Sequence, residues 1–268
     1  MVEENYDQLF IKLAEISVKA GAGIMEVYSG EIDINLKSDD SPITAADRIS
    51  HNIICEELAG LDFDGRTLPV LSEEGVLIPW EQRKQWESYW LIDPLDGTKE
   101  FISRNGEFTV NIALISDNKP LLGIVYLPVQ DLIYYGGRGI GSFKAKGTDS
   151  FLSEADSLPL VSVRDSDILV AAGSRSHRSP DFDLWVENEA RRRGCSRIEV
   201  FTAGSSLKFC LAAEGKVDVY PRFGPTMEWD TAAAQAVVEG AGKTCRKIDG
   251  GRMLYNKPVL KNEGFIVS

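Results

Sequence analysis

Trp90-Leu91-Ile92-Asp93-Pro94-Leu95-Asp96-Gly97-Thr98 is the stretch on which the reading of this chain turns. An apolar run of strand character delivers two carboxylates three positions apart, and the proline between them fixes the bend. Asp93 and Asp96 can then face one space, with the Leu95 carbonyl as a third oxygen. Hard cations such as Mg²⁺ take oxygen ligands in this kind of arrangement. Gly97 lets the backbone approach a ligand closely, and the amides that follow can point at a phosphate. Taken by itself, the stretch is equally an Asp-Pro/Asp-Gly turn on the surface.

Three other acidic blocks lie outward from it. Leu71-Ser72-Glu73-Glu74-Gly75 ends a short apolar strand in carboxylates, which by itself is a solvated strand end. Glu228-Trp229-Asp230-Thr231-Ala232-Ala233-Ala234 places Asp230 ahead of an alanine-rich helix, where an ordinary N-cap is the plain reading. Ser41-Pro42-Ile43-Thr44-Ala45-Ala46-Asp47 puts Asp47 in the first turn of a helix, a position the helix dipole favours anyway. Their combination carries more than any one of them. Carboxylates stand at the ends of strands and helices in an α/β pattern, and active sites of such folds gather at those ends.

The pattern itself comes from periodicity. Apolar positions Leu9, Leu13, Ile16, Ala20, Ile24 and Val27 predict a long opening helix, and a second helix is predicted over 44–58. Short strands are predicted at 32–36, 69–71 and 89–92, and buried strands at 108–115 and 121–127 around an Asp117-Asn118-Lys119-Pro120 turn. Further strands at 132–135 and 142–146 continue that sheet. The glycine-rich run 136–141 between them is a turn, because no helix follows it as a phosphate-cradling loop requires. Beyond residue 150 strands at 168–172, 198–201 and 217–220 alternate with helices at 183–193, 206–214 and 231–239. This alternation argues for a layered α/β fold. The polar segment 150–159 marks the expected division into an N-terminal α+β half, 1–150, carrying most metal-binding motifs, and a C-terminal α/β half, 151–268, carrying substrate-selecting residues and the last metal ligand.

Composition narrows the function classes. The 268 residues are 43% hydrophobic, with 41 acidic and 29 basic side chains for a net charge of -12. That balance argues against binding nucleic acid polymers or anionic membranes. A small anionic substrate stays compatible, because bound cations reverse the field inside one pocket. Four cysteines without a CxxC pair point to reduced thiols, not to a disulfide framework or zinc site. The acidic N-terminus lacks an apolar signal core, and no run approaches the roughly 18 apolar residues of a membrane span. The expectation is a soluble cytoplasmic protein without integral membrane association; weak peripheral attachment to an inner membrane stays open, as does the oligomeric state.

Asp93-Pro94-Leu95-Asp96-Gly97-Thr98, Glu73-Glu74 and Trp229-Asp230-Thr231-Ala232-Ala233 resemble the three signature blocks of the inositol monophosphatase superfamily, in that family's order. Gly173-Ser174-Arg175-Ser176-His177, Gly204-Ser205-Ser206-Leu207-Lys208-Phe209-Cys210 and Tyr220-Pro221-Arg222-Phe223-Gly224-Pro225-Thr226 resemble its 3'(2'),5'-bisphosphate nucleotidase branch. The resemblance implies an inositol-monophosphatase-like alternating αβαβα sandwich. It also implies a lithium-sensitive, magnesium-dependent phosphatase that converts 3'-phosphoadenosine 5'-phosphate to AMP and phosphate, an activity that supports sulfate assimilation in many organisms.

By the same resemblance Glu73, Asp93, Asp96, Asp230 and the Leu95 carbonyl hold two or three Mg²⁺ ions, and Thr98 with Asp47 orients and deprotonates the attacking water. Gly97, Thr98, His177, Ser205, Lys208, Arg222 and Asp230 are the expected substrate contacts, with Lys208 and Arg222 supplying positive charge to the 5'-phosphate or another part of the nucleotide. Lys37 could reach the metal site, and His51 is expected to be structural. The alternatives are an inositol or sugar monophosphate phosphatase of the same fold, and a nucleotide sensor without catalysis. Nothing is attached to Glu228, which is expected to vary.

Overall fold

The Ser88–Asp96 strand is buried along almost its whole length, and its odd and even residues feed two different cores. Side chains of a strand alternate between its faces. Tyr89 and Leu91 therefore join one core with Ala113, Ile115, Val125 and Leu127 of the neighbouring strands. Trp90 and Ile92 join the other with Val110, Ile112, Leu114 and Ile124. A strand covered on both faces needs a continuous apolar run, which is what this stretch supplies. The computed structural model describes residues 6–30, 32, 34–36, 42–149, 151–160, 165–174 and 179–268.

Seven strands form the main sheet, in the spatial order Asp156–Ser157, Gly141–Lys146, Leu132–Gly137, Lys119–Leu127, Thr109–Ser116, Ser88–Asp96 and Val70–Ser72. Only the last pair is parallel; the others are antiparallel. The helices Asp7–Ser29 and Ala45–Ala59 pack together over one face, with Phe10, Leu13, Ala20, Ile24, Ile54 and Leu58 in the shared core. The Ala232–Gly240 helix and the Leu207–Ala213 helix cover the opposite face. This is the layered α/β arrangement expected from the sequence.

The alanines at the start of the Ala232–Gly240 helix let it lie almost directly on the sheet. A Cβ placed on Gly123 would come within 2.3 Å of the Ala233 carbonyl oxygen, closer than any van der Waals contact allows. Glycine at 123 is thus a packing requirement.

Past residue 165 the chain builds smaller sheets. Ile168–Ser174 and Arg197–Ala203 pair in parallel, joined by the Pro180–Arg193 helix. That helix has the punctuation of a well-specified one: Ser179 caps its start, Pro180 opens it, and Gly194 closes it at φ 77°. Its closing arginines act structurally, Arg192 and Arg193 both pairing with Glu189. Tyr220–Arg222, Phe265–Val267 and Cys245–Lys247 make an antiparallel three-stranded sheet. The strand expected over 217–220 starts later. Asp218 instead binds across to Val170, its carboxylate accepting from the Val170 amide at 2.8 Å, and only an isolated bridge joins Ala171 to Val219.

Candidate active site

Strand parity brings the acidic groups together. Asp93 continues the odd-numbered face of Tyr89 and Leu91, the face covered by the Ala232–Gly240 helix. Asp230 stands just before that helix, and Glu73 follows the Val70–Ser72 strand hydrogen-bonded beside it, where the Glu73 amide donates to the Ile92 carbonyl at 3.2 Å. Carboxylate oxygens of Glu73, Asp93 and Asp230 consequently lie within 4.8 Å of one another.

Three carboxylates this close repel. Burial, then the charges of Glu73, Asp96 and Asp230, hold the Asp93 carboxyl well above the usual carboxylate range. Burial and the charge of Asp96 do the same to Asp230, although its Oδ2 accepts from the Met227 amide at 2.8 Å. An all-oxygen donor set whose members raise one another's pKa fits a hard divalent cation.

Asp96 stands apart from the three. The ladder shifts register between Asp93 and Asp96, a bulge that Pro94 enforces by having no amide to give. Asp96 Oδ2 accepts three hydrogen bonds: from the Ser205 hydroxyl at 2.7 Å, the Ser206 amide at 2.7 Å and the Ser206 hydroxyl at 2.8 Å. It remains near enough for its charge to act on both Asp93 and Asp230. Leu95 keeps its side chain in the core, and its amide donates to Asp93 Oδ1 at 3.1 Å.

The Thr98 hydroxyl donates to Asp47 Oδ1 at 3.2 Å. Asp47 is itself buried at the start of its helix, and its Oδ2 accepts from the amide and the hydroxyl of Thr44, both at 2.7 Å. Thr44 is the N-cap, and its hydroxyl accepts from the Ala46 amide at 3.2 Å, so a capping box doubles as the mount for the carboxylate. Gly97, at φ 93°, makes the left-handed turn between the bulge and Thr98.

The cleft beside these groups, about 140 Å³, is lined by Asp96, Gly97, Lys99, Ser205, Arg222 and Asp230, among others. Two expected nucleotide contacts have internal duties there. Lys208 is buried, and its ammonium donates to the carbonyls of Ala203 at 3.0 Å and Ser205 at 2.7 Å, over the ring of Tyr220. Burial pushes its pKa down to about 8, against the pull of Asp96. Ser205 adopts φ 49°, in the left-handed region that favours glycine, and its hydroxyl also bonds Thr109 at 2.6 Å. Among the described residues the Arg222 side chain makes one hydrogen bond, to the Pro225 carbonyl at 3.3 Å, and its buried Nε has no partner. His177 and Lys37 lie outside the described residues. His51 bonds the Ser72 hydroxyl at 2.8 Å, a supporting contact behind the Glu73 turn.

The sequence reading passed over several residues that hold the site. Ser206 links Asp96 to the Asp230 carbonyl (3.1 Å) and accepts from Asn111 Nδ2 (3.0 Å). Asn111 is the register partner of Asp93 on the neighbouring strand. Glu228, expected to vary, is completely buried; it accepts from the amides of Asn256 (2.7 Å) and Lys257 (3.0 Å) and pairs with the Lys257 ammonium at 2.7 Å. Asn256 in turn binds the buried Arg83 at 2.8 Å. The only sequence signal for Glu228 is its place two residues before Asp230.

Comparison with known proteins gives a consistent set of matches. The profile of the inositol monophosphatase family matches residues 5–268. The 3'(2'),5'-bisphosphate nucleotidases CysQ of Shigella flexneri and Escherichia coli K12 are each 42% identical over 260 residues, covering 96% of this chain and 98% of theirs. The crystal structure of CysQ from Bacteroides thetaiotaomicron superposes with a TM-score of 0.85 at 38% identity, covering 98% of each chain. An IMPase of Thermotoga maritima, at 21% identity and a TM-score of 0.74, shares the fold.

Proposed function

The chain belongs to the inositol monophosphatase family, and on that premise we propose that it is a 3'(2'),5'-bisphosphate nucleotidase, hydrolysing the 3'-phosphate of 3'-phosphoadenosine 5'-phosphate to give AMP and phosphate. The observation that carries the chemistry is the meeting of Glu73, Asp93 and Asp230 within 4.8 Å beside the Asp47–Thr98 pair. The full-length 42% identity to the CysQ nucleotidases carries the choice of substrate. A family that is typically metal-dependent and an all-oxygen site favour magnesium as the cation.

Glu73, Asp93 and Asp230 would hold the cation, with Asp96 and the Leu95 carbonyl completing the set. Bound there, magnesium supplies the positive charge that offsets the carboxylates and polarises both the phosphate and a water. The chain's own residues do the rest. Asp47, fixed from behind by Thr44, accepts the Thr98 proton, which leaves the Thr98 oxygen's lone pairs facing outward to accept from a water. The water's proton passes to Thr98 as the Thr98 proton passes to Asp47, the oxygen attacks phosphorus in line as the bond to the 3'-oxygen breaks, and the 3'-oxygen takes a proton from solvent water to leave as the hydroxyl of AMP. Arg222 and Lys99 both line the cleft and would answer the second phosphate. No helix among the described residues is long and apolar enough to cross a membrane.

The test compares kcat/KM for 3'-phosphoadenosine 5'-phosphate and inositol 1-phosphate under the same magnesium concentration. The nucleotide is expected to be strongly preferred, with turnover inhibited by lithium. A preference for the inositol ester would transfer the protein to the monophosphatase branch, and no phosphate release from either would favour a non-catalytic binder.

A further inference from the structure

A second cavity among the described residues lies away from the catalytic cleft, at the other end of the Ala232–Gly240 helix. It measures about 500 Å³, within the range of roughly 300–1,000 Å³ usual for small-molecule sites. Asp230 and Thr231 face the catalytic cleft at the helix's beginning, whereas Gln235, Glu239 and Gly242 face this cavity at its end. The turn after Thr109–Ser116 forms another wall. The glycine-rich turn at 136–141, which the catalytic site leaves unused, contributes Arg138.

Its charge runs against that of the molecule. On a chain of net charge -12, Lys119, Arg138, Lys243, Arg246 and Arg252 line this one cavity, against the carboxylates of Asp117 and Glu239. Glu239 is already engaged by the Gln235 side-chain amide at 2.8 Å. The side chains of Lys119, Arg138 and Arg252 make no hydrogen bond or ion pair among the described residues. Arg246 and Arg252 are moreover direct partners in an antiparallel bridge. Like charges opposite each other across such a bridge destabilise it unless an anion lies between them. Arg246 has only a 3.5 Å contact to the Gly250 carbonyl to relieve it. Beneath the cationic rim Pro120, Cys245 and Met253 are buried and present apolar surface.

We propose that this cavity is a second ligand site, which takes a small organic anion carrying two or more phosphate or sulfate charges. The arginines and lysines hold the charged groups, and the apolar floor covers the organic body. The catalytic carboxylates reject such an anion when no divalent cation is present. The distal cavity has no such requirement, so the two sites separate experimentally.

The experiment is calorimetric titration of the full-length chain with ADP, which has no 3'-phosphate to hydrolyse, first in cation-free buffer and then with magnesium. Adenosine and inorganic pyrophosphate serve as the uncharged and body-less controls. ADP is expected to bind one to one without magnesium, more tightly than pyrophosphate, with adenosine silent. The Arg138→Glu/Arg252→Glu variant should bind ADP at least about tenfold more weakly, and Arg252→Ala should fall between. Both variants change exposed side chains and should keep ADP-free turnover without lowering the melting temperature, since either one relieves the Arg246–Arg252 repulsion. Equal ADP affinity in wild type and double variant, or no saturable ADP heat, would overturn the proposal: the rim would then be solvated surface complementing the helix's C-terminal end.

Discussion

The two halves of the catalytic apparatus are held in different ways. On the sheet side, Asp93 and Asp47 are fixed by elements that exist for other reasons: a buried strand with its proline bulge, and a helix cap. On the other side, the loops of 203–208 and 220–231 fold back on themselves, and their polar groups serve as fasteners. Ser205 and Ser206 bind Asp96, and Lys208 spends its ammonium on two backbone carbonyls. Ser205 and Lys208, which the family resemblance implies as substrate contacts, brace these loops from within.

That contrast can be broken or sharpened by substitution. Asp93→Asn removes the carboxylate at the centre of the acidic cluster and should lower kcat by roughly a thousandfold, about 4 kcal/mol of barrier, in steady-state phosphate release. Thr98→Ala leaves the cation ligands in place but severs the water from Asp47. It should cost about a hundredfold in kcat with little change in KM. Ser206→Ala takes out a side chain that binds Asp96 and the Asp230 carbonyl. About tenfold is expected in kcat, recovered in part by raising the magnesium concentration, because outer contacts tune cation affinity. If Ser206→Ala were as damaging as Asp93→Asn, the division into working and bracing sides would fail.

The smallest effect is a slope. The Lys208 pKa lies at about 8 in the folded protein and 10.5 ordinarily. Between those values the unfolded chain binds a proton that the folded chain has released, so this lysine makes stability rise with pH across that window. Below pH 8 the penalty for its buried charge is fully present. Buried tyrosines and cysteines titrate at high pH too, so the measurement is a difference: urea melts of wild type and Lys208→Met between pH 7.5 and 10.5. Wild type should gain on the variant as pH rises; parallel curves would mean the ammonium is better solvated than its burial implies.

Much of this was legible in the sequence, for physical reasons that differ by residue. Continuous apolar runs marked the strands buried on both faces, and the proline between Asp93 and Asp96 announced a bend at a strand end. Asp47 in the first turn of a helix was legible from its dipole-favoured position, whereas the Thr44 cap that mounts it came only with the structure. The family blocks supplied the partners far apart in the chain, which no local pattern can. What stayed hidden depended on long-range contacts: Glu228 meeting Asn256 and Lys257, Asn111 reaching Ser206, and the turn of Lys208 away from solvent. A buried glutamate and an exposed one look alike in one dimension, and a lysine in a polar loop carries no mark of which oxygens it will find.

The contact between Gly123 and Ala233 sets a dimension for the whole centre. Because backbone meets backbone there, with no side chain to act as a cushion, the helix that follows Asp230 cannot sink toward the sheet. The gap spanned by Asp93 and Asp230 is therefore gauged by the closest approach of strand and helix main chains, as a caliper is set by its jaws. Even a single methyl at 123 would open the jaws, and an ion small enough to demand short bonds would be the first to lose its grip.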